Sequence, residues 1–202
     1  MKILAIETNL DETAVSLVKI SGPNSNPKIS VLAEQIASQI TIHQSFGGVV
    51  PMLAKRAHAE ALPELLLNVL EQAGQKTYRP PANGDTKILK TIAKLLDREP
   101  QLFELFQAKI ANLKKPNLDA IAVTRGPGLE PALWVGINFA KALAHWWQIK
   151  LVPTNHLTGH LFSPLINQQK VKLTFPAVGL IASGGHTELI LLKNFRQKKL
   201  LG

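Results

Sequence analysis

The chain has 202 residues, 46% hydrophobic and 18% charged, a composition that permits a sizeable globular core. No apolar run approaches the roughly 18 residues of a membrane span, and residues 1–7 turn acidic too early for a secretory leader, so a cytoplasmic protein with no membrane partner is expected. The absence of cysteine excludes disulfides and thiolate ligands, while 23 Lys and Arg against 14 Asp and Glu give a net charge of +9, which favours a polyanionic partner such as nucleic acid or a nucleotide.

Residues 2–7 form an apolar run of β character, and residues 13–20 carry apolar side chains on both alternating faces, as in a buried strand. The two read as a hairpin. Its tip, Thr8-Asn9-Leu10-Asp11-Glu12, concentrates a hydroxyl, an amide and two carboxylates, which fits either a polar turn or a site. A Gly/Pro/Asn/Ser-rich turn over 21–27 leads to a third strand at 28–37. After Phe46-Gly47-Gly48, Pro51 suits the first position of a helix running to about Ala73, and Pro63 is expected to kink or split it. Lys55, Arg56 and His58 cluster on its first half.

Residues 75–116 change character and read as an inserted helical hairpin. Leu89, Ile92, Ala93 and Leu96 recur at helical spacing opposite Lys87, Lys90, Lys94 and Arg98, and a second apolar stripe follows Pro100. The basic edge is either a solvated face or a phosphate-contacting one. Residues 118–124 form a buried strand, followed by Arg125-Gly126-Pro127-Gly128 and a helix over 131–147, an arrangement that turns backbone N–H groups toward an anion. A short strand at 149–153 precedes Thr154-Asn155-His156-Leu157-Thr158-Gly159-His160. If that stretch is helical, the imidazoles of His156 and His160 share a face at i, i+4, which offers two nitrogens to one metal ion; the alternative is one capping and one packing histidine. Leu157 stands where a zinc peptidase would carry Glu, which excludes that chemistry. Finally, a strand over 177–182 ends in Ser183-Gly184-Gly185-His186-Thr187, either a Gly-Gly hairpin turn or a close backbone approach to a ligand.

Glu7-Thr8-Asn9-Leu10-Asp11-Glu12-Thr13, Phe46-Gly47-Gly48-Val49-Val50-Pro51, Lys55-Arg56-Ala57-His58, Gly126-Pro127-Gly128-Leu129, Val135-Gly136, His156-Leu157-Thr158-Gly159-His160 and Ser183-Gly184-Gly185-His186-Thr187 occur in this order. Together they resemble the signature blocks of the tRNA threonylcarbamoyladenosine transferase family. The resemblance implies an α/β fold, an actin-like (ASKHA, ribonuclease H-like) lobe with a mixed five- or six-stranded sheet flanked by helices. Residues 1–202 are expected to be one N-terminal lobe, with 75–116 as the insertion and the family's second lobe absent. The implied reaction transfers a threonylcarbamoyl group from threonylcarbamoyl-AMP to N6 of the adenosine beside the anticodon, in tRNAs reading codons that begin with A. On that resemblance His156 and His160 are ligands of one divalent metal ion, iron or zinc. Ile181, Ala182, Ser183, Gly184 and Gly185 line the adenylate site, and Asp11 and Glu12 stand at its acyl end as catalytic residues. The implied partners are tRNA, an actin-like paralogue, the pathway's ATPase subunit and a chain carrying the missing lobe.

Two departures stand out. Asn9-Leu10 replaces the family's usual Ser-Cys, and the second lobe, which supplies a metal-binding Asp, would begin where this sequence ends. A truncated or split transferase is therefore expected, with a non-catalytic actin-like partner subunit as the alternative. An actin-like kinase is disfavoured because the tip loop lacks the glycine of an Asp-x-Gly-Thr phosphate loop.

Overall fold

The structure, a computed structural model, describes residues 1–23, 27–82, 84–167, 173–183 and 186–202. Two sheets organise it. The first has five strands in the order β3-β2-β1-β4-β5: β1 (Lys2–Glu7), β2 (Glu12–Ser21) and β3 (Lys28–Ser38) are antiparallel neighbours, and β4 (Ala120–Gly126) and β5 (Lys150–Asn155) add in parallel beside β1. Three antiparallel strands extended by parallel ones, with helices packed against them, make the expected mixed sheet of an actin-like, ribonuclease H-like lobe.

One face of this sheet carries the main core. Leu4, Ile6, Val15, Leu17, Ile121 and Val123 are buried there against α2 (Pro51–Gln72), which follows the single turn α1 (Ile40–His43), and against α5 (Glu130–Trp147). The strand β2 differs from the two-sided burial read from its sequence. Thr13, Val15 and Leu17 are fully buried, whereas Ala14, Ser16 and Val18 are only half-buried, because their face is partly open. The helix α2 also differs from expectation: it runs unbroken through Pro63. Proline removes one backbone hydrogen bond, at a cost of about 3 kcal/mol. Leu62, Leu66, Val69 and Leu70 are all buried around it, and at about 1.5–3 kcal/mol per fully buried side chain this packing outweighs the loss.

Between α2 and β4 lie α3 (Asp85–Leu95) and α4 (Pro100–Leu105), the latter continuing into a π-turn over Phe106–Ile110. Ile92, Leu96, Leu102, Phe106, Ile110 and Leu113 are buried in the main core, and the ring of Phe106 meets Trp146 of α5 edge-on at 6.0 Å. Lys87, Lys90, Lys94 and Arg98 line the exposed side, as their spacing predicts.

The second sheet is antiparallel, in the order β6-β7-β8, from β6 (Ala177–Ser183), β7 (His186–Leu192) and β8 (Lys198–Leu200). Ile181, Ile190 and Leu192 form a small core of their own, covered by Leu157, Leu161 and Phe162 of α6 (His156–Phe162). The helix α6 thus leaves the end of β5 and seals the second sheet. The backbone of Gly179 makes that fit possible, since a Cβ there would lie 2.2 Å from Leu161 Cδ1.

Candidate functional site

The parallel strands β1, β4 and β5 all end at the same edge of the first sheet, where open α/β sheets form their ligand crevices. Each strand delivers a different group. Glu7 closes β1, Thr124 lies near the end of β4, and Asn155 ends β5 and caps α6, accepting hydrogen bonds from the Thr158 backbone N–H at 2.9 Å and the Thr158 hydroxyl at 3.0 Å. An Asn cap of this kind is worth about 1 kcal/mol and sets the direction in which α6 departs.

With α6 so directed, His156 and His160 do share one face. Their Nε2 atoms are 3.0 Å apart and the rings are nearly perpendicular, at 82°. Two cis donors on one ion at imidazole bond lengths of about 2.0–2.1 Å stand roughly 2.9–3.4 Å apart, so the spacing fits a metal-binding pair. Neutral imidazole suits zinc or iron. Among the described residues no cluster of three His, Cys, Asp or Glu side chains completes a coordination sphere. His156 Nδ1 lies 3.2 Å from Glu7 Oε2, which also accepts a 2.6 Å hydrogen bond from the Thr124 hydroxyl.

His156 and Glu7 open onto a cavity of about 660 Å³ on the less covered face of the sheet, walled by Ala5, Ala14, Ser16, Ala122, Thr124 and Phe162. The small side chains that alternate with the buried set on β1, β2 and β4 leave this space. Asp11 and Glu12 sit at the same sheet edge, half-buried and exposed respectively. The Asp11 carbonyl accepts a hydrogen bond from the Gln39 backbone N–H at 2.7 Å. Ile181 points its side chain into the small second core, so its backbone is what it offers at the strand end; Ala182 is exposed. Gly184 and Gly185 lie outside the described residues, as do the side chains of Ser183 and His186, although Ser183 and His186 pair across the β6–β7 ladder.

At the Gly126-Pro127-Gly128 turn the N-cap residue of α5 is bonded from within the chain. The Leu129 N–H is taken by Asn9, whose side-chain and backbone oxygens lie at 3.2 and 3.3 Å, and Glu130 supplies negative charge in the first turn. Asn9 occupies the space a side chain at position 128 would need, since a Cβ on Gly128 would lie 1.3 Å from Asn9 Oδ1. Thr8 is seated in the same way, its hydroxyl donating to the Ala132 carbonyl at 2.9 Å beside Gly136.

Sequence reasoning gave no role to a buried polar network behind the acidic loop. His43 Nδ1 accepts from the Val50 N–H at 3.3 Å, so its Nε2–H donates to Gln39 Oε1 at 3.1 Å. Gln39 Nε2 then donates to His58 Nδ1 at 3.0 Å, Thr13 Oγ1 lies 2.7 Å from the same nitrogen, and His58 Nε2–H donates to the Leu10 carbonyl at 3.1 Å. Burial is the main cause that holds the His58 pKa below its ordinary value of 6.5, against the raising effects of the Leu10 carbonyl and of Glu7 and Asp11. A neutral His58 therefore pins Leu10, immediately before Asp11. Of its neighbours in sequence, Lys55 pairs with the buried Glu99 at 3.1 Å, and Arg56 lies on the surface paired with Glu60 at 3.1 Å.

The family model described as "tRNA N6-adenosine threonylcarbamoyltransferase" (TsaD) matches residues 30–78 and 103–202. The chain belongs to that family. Curated relatives that bear the same description include proteins of Staphylococcus haemolyticus, 38% identical over 200 residues, and Thermomicrobium roseum, 40% identical over 206. A third, from Endomicrobium trichonymphae, is 40% identical over 202 residues. The alignments cover 99–100% of this chain and 44–46% of the relatives, so the chain spans less than half the length of the curated threonylcarbamoyltransferases it matches. Residues 1–29 and 79–102 lie outside the family-model match, while the alignments to the relatives run across both segments. Among solved structures, "YeaZ from Pseudomonas aeruginosa" aligns with all of this chain and 64% of its own at 16% identity and a TM-score of 0.46. An Aquifex aeolicus PPX-GPPA enzyme aligns with all of this chain and 52% of its own at 11% identity and a TM-score of 0.39.

Proposed function

We propose that residues 1–202 act as the N-terminal lobe of a tRNA N6-adenosine threonylcarbamoyltransferase, with threonylcarbamoyl-AMP as donor and, as acceptor, the adenosine beside the anticodon in tRNAs reading codons that begin with A. The observation that carries the site is the convergence of His156 and His160 at the edge where β1, β4 and β5 end. In the reaction the adenosine N6 attacks the carbamoyl carbon, a C–N bond forms, the bond from that carbon to the phosphate oxygen breaks, and AMP leaves with its electron pair while N6 gives up a proton. His156 and His160 would hold a divalent ion, iron or zinc, which would supply Lewis-acid stabilisation of charge on the donor's oxygens. Asp11 and Glu12 orient the amine and accept its proton, and the neutral His58 network keeps their loop in place. The backbone from Ile181 to Gly185 receives the adenylate.

The proposal assigns the opposite wall of the cleft to the part of the curated relatives that this chain does not match. In this reading tRNA, an actin-like paralogue and the pathway's ATPase subunit are the partners, the cytoplasm is the location, and residues 1–202 transfer nothing without that second part, whether it is continuous with them or a separate chain. The net charge of +9 and the exposed lysine edge of α3 favour the tRNA.

The test is reconstitution: residues 1–202, a polypeptide corresponding to the unmatched part of a relative, threonylcarbamoyl-AMP and unmodified tRNA, with the modified nucleoside measured by mass spectrometry after digestion. Product is expected only with both polypeptides, and His156→Ala or His160→Ala should abolish it. Full turnover by residues 1–202 alone would refute the division of the site; full turnover in both histidine variants would refute the metal assignment.

A further inference from the structure

The side chain of Glu7 is the unexplained group at this site. It ends an apolar strand, in a position where a hydroxyl or amide would cap the ladder at less cost. Its carboxylate lies where three elements meet: Oε2 receives the Thr124 hydroxyl from β4 at 2.6 Å and faces His156 Nδ1 from the start of α6 at 3.2 Å. Oε1 is buried without a hydrogen-bond partner among the described residues. Burying part of a carboxylate is costly unless its charge is used, and among the described residues the nitrogen it meets belongs to one of the two converging imidazoles.

We propose that Glu7 is the positioning residue for His156: it fixes the ring as the Nδ1–H tautomer and thereby presents the Nε2 lone pair for coordination. This rests on the metal reading of His156 and His160. An ionised carboxylate only accepts hydrogen bonds, so both contacts to Oε2 must be donated to it, one by the Thr124 hydroxyl and one by His156 Nδ1–H. A neutral imidazole with its proton on Nδ1 has its lone pair on Nε2, and that atom is the one 3.0 Å from His160 Nε2. Two Nε2 lone pairs would repel at this distance, so in the metal-free protein His160 carries its proton on Nε2 and donates it to His156. Coordination then asks nothing of His156. His160 must move its proton to Nδ1, so the two histidines play unequal parts, one preset and one that changes tautomer on binding.

The carboxylate also does electrostatic work. A carboxylate behind a ligating imidazole holds its ring orientation and raises its basicity, and removal of such a partner typically weakens metal affinity about 10–100-fold. The hydrogen bond from Thr124 holds Glu7 in turn, so the strand order β1-β4-β5 is converted into the orientation of one ring. A purely structural Glu7, tying β1 to β4 through Thr124, would leave the tautomer and the metal affinity unchanged when replaced.

Glu7→Leu keeps the approximate volume and removes both acceptors; Glu7→Gln keeps one acceptor and removes the charge. Circular dichroism and dispersed amide spectra establish that each variant is folded. Calorimetric titration of residues 1–202 with zinc chloride then gives the affinity, and ¹⁵N imidazole shifts in the metal-free protein give the tautomer of His156. The expected result is about 10–100-fold weaker zinc binding in Glu7→Leu, a smaller loss in Glu7→Gln, an Nδ1–H His156 in the wild type, and appearance of the Nε2–H form in Glu7→Leu. Equal zinc affinity in wild type and a folded Glu7→Leu, or an Nε2–H His156 in the wild type, overturns the role of Glu7. Failure of the wild type to bind zinc, or equal affinity in wild type and His160→Ala, instead overturns the metal reading itself.

Discussion

Substituting Gly136 with Ala tests whether the close approach of α5 to the end of β1 defines this sheet edge. In a solvated helix the change gains about 1 kcal/mol of propensity. Here the new Cβ would lie 2.3 Å from Thr8 Oγ1, 3.1 Å from Thr8 Cγ2 and 3.3 Å from Thr8 Cβ. Thr8 is buried and its hydroxyl is committed to the Ala132 carbonyl at 2.9 Å, so relief requires rotating it off that bond or moving α5. Overpacking costs about 1–3 kcal/mol, and loss of a buried hydroxyl's partner costs a further 1–3 kcal/mol or so. Against the helix gain, the net is a destabilisation of about 1–5 kcal/mol, read as the midpoint of urea unfolding. Thr8→Ala removes the two nearest atoms, and the Ala132 carbonyl keeps its place in the helix ladder, so this variant alone should cost about 1 kcal/mol. In its background Gly136→Ala should be neutral or stabilising, giving a coupling of about 2 kcal/mol or more in the double-mutant cycle. Additive costs, or a Gly136→Ala that stabilises the wild type, would refute the contact.

The five-stranded sheet was legible because its signals are local. Residues 2–7, 13–20, 28–37 and the buried run before Arg125 correspond to strands within two residues of their observed bounds. Pro63 misleads because the rule it triggers concerns one hydrogen bond, while the outcome depends on how many leucines α2 buries, which only the packed state reveals. The half-open face of β2 has the same origin. Ala14, Ser16 and Val18 are small or apolar enough for a core, and whether they enter one depends on what covers them.

At the site, spacing alone reveals that His156 and His160 can share a face, because i, i+4 is a property of the helix itself. That Glu7 stands behind one of them is not visible, because 149 residues separate the pair and the contact arises from strand order. The same holds for the network through Thr13, Gln39, His43 and His58: Thr13 and His58 fall in the signature blocks, but the meeting of the four depends on the return of α2 across β2. Gly128 and Gly136 were visible as glycines, but the reason for each lies on the opposite strand loop, in Asn9 and Thr8.

Two further outcomes bear on the acidic loop. The unfolded chain protonates His58 near 6.5, whereas the folded chain holds its pKa below that value. Its contribution to stability is therefore complete above 6.5 and is lost as pH falls toward the folded pKa, with a slope of at most about 1.4 kcal/mol per pH unit. Urea midpoints measured from pH 8 down to 5 should fall below 6.5, and His58→Gln should flatten that fall; an unchanged slope in the variant would remove His58 as its cause. Gly128→Ala acts on the other anchor of the loop. The residue holds φ +153°, where a side chain is strained by about 1–3 kcal/mol, and the added Cβ must expel the Asn9 side chain, which leaves the Leu129 N–H without its side-chain acceptor at a cost of about 1–3 kcal/mol. The variant should lose about 2–6 kcal/mol by urea unfolding; Asn9→Ala already forfeits that acceptor, so in its background Gly128→Ala should cost only the backbone strain. Because Asn9 stands where the resembling family usually has Ser, a single cost unchanged by Asn9→Ala would mean that the larger amide is merely tolerated beside Gly128, and that the anchor of the loop is His58 alone.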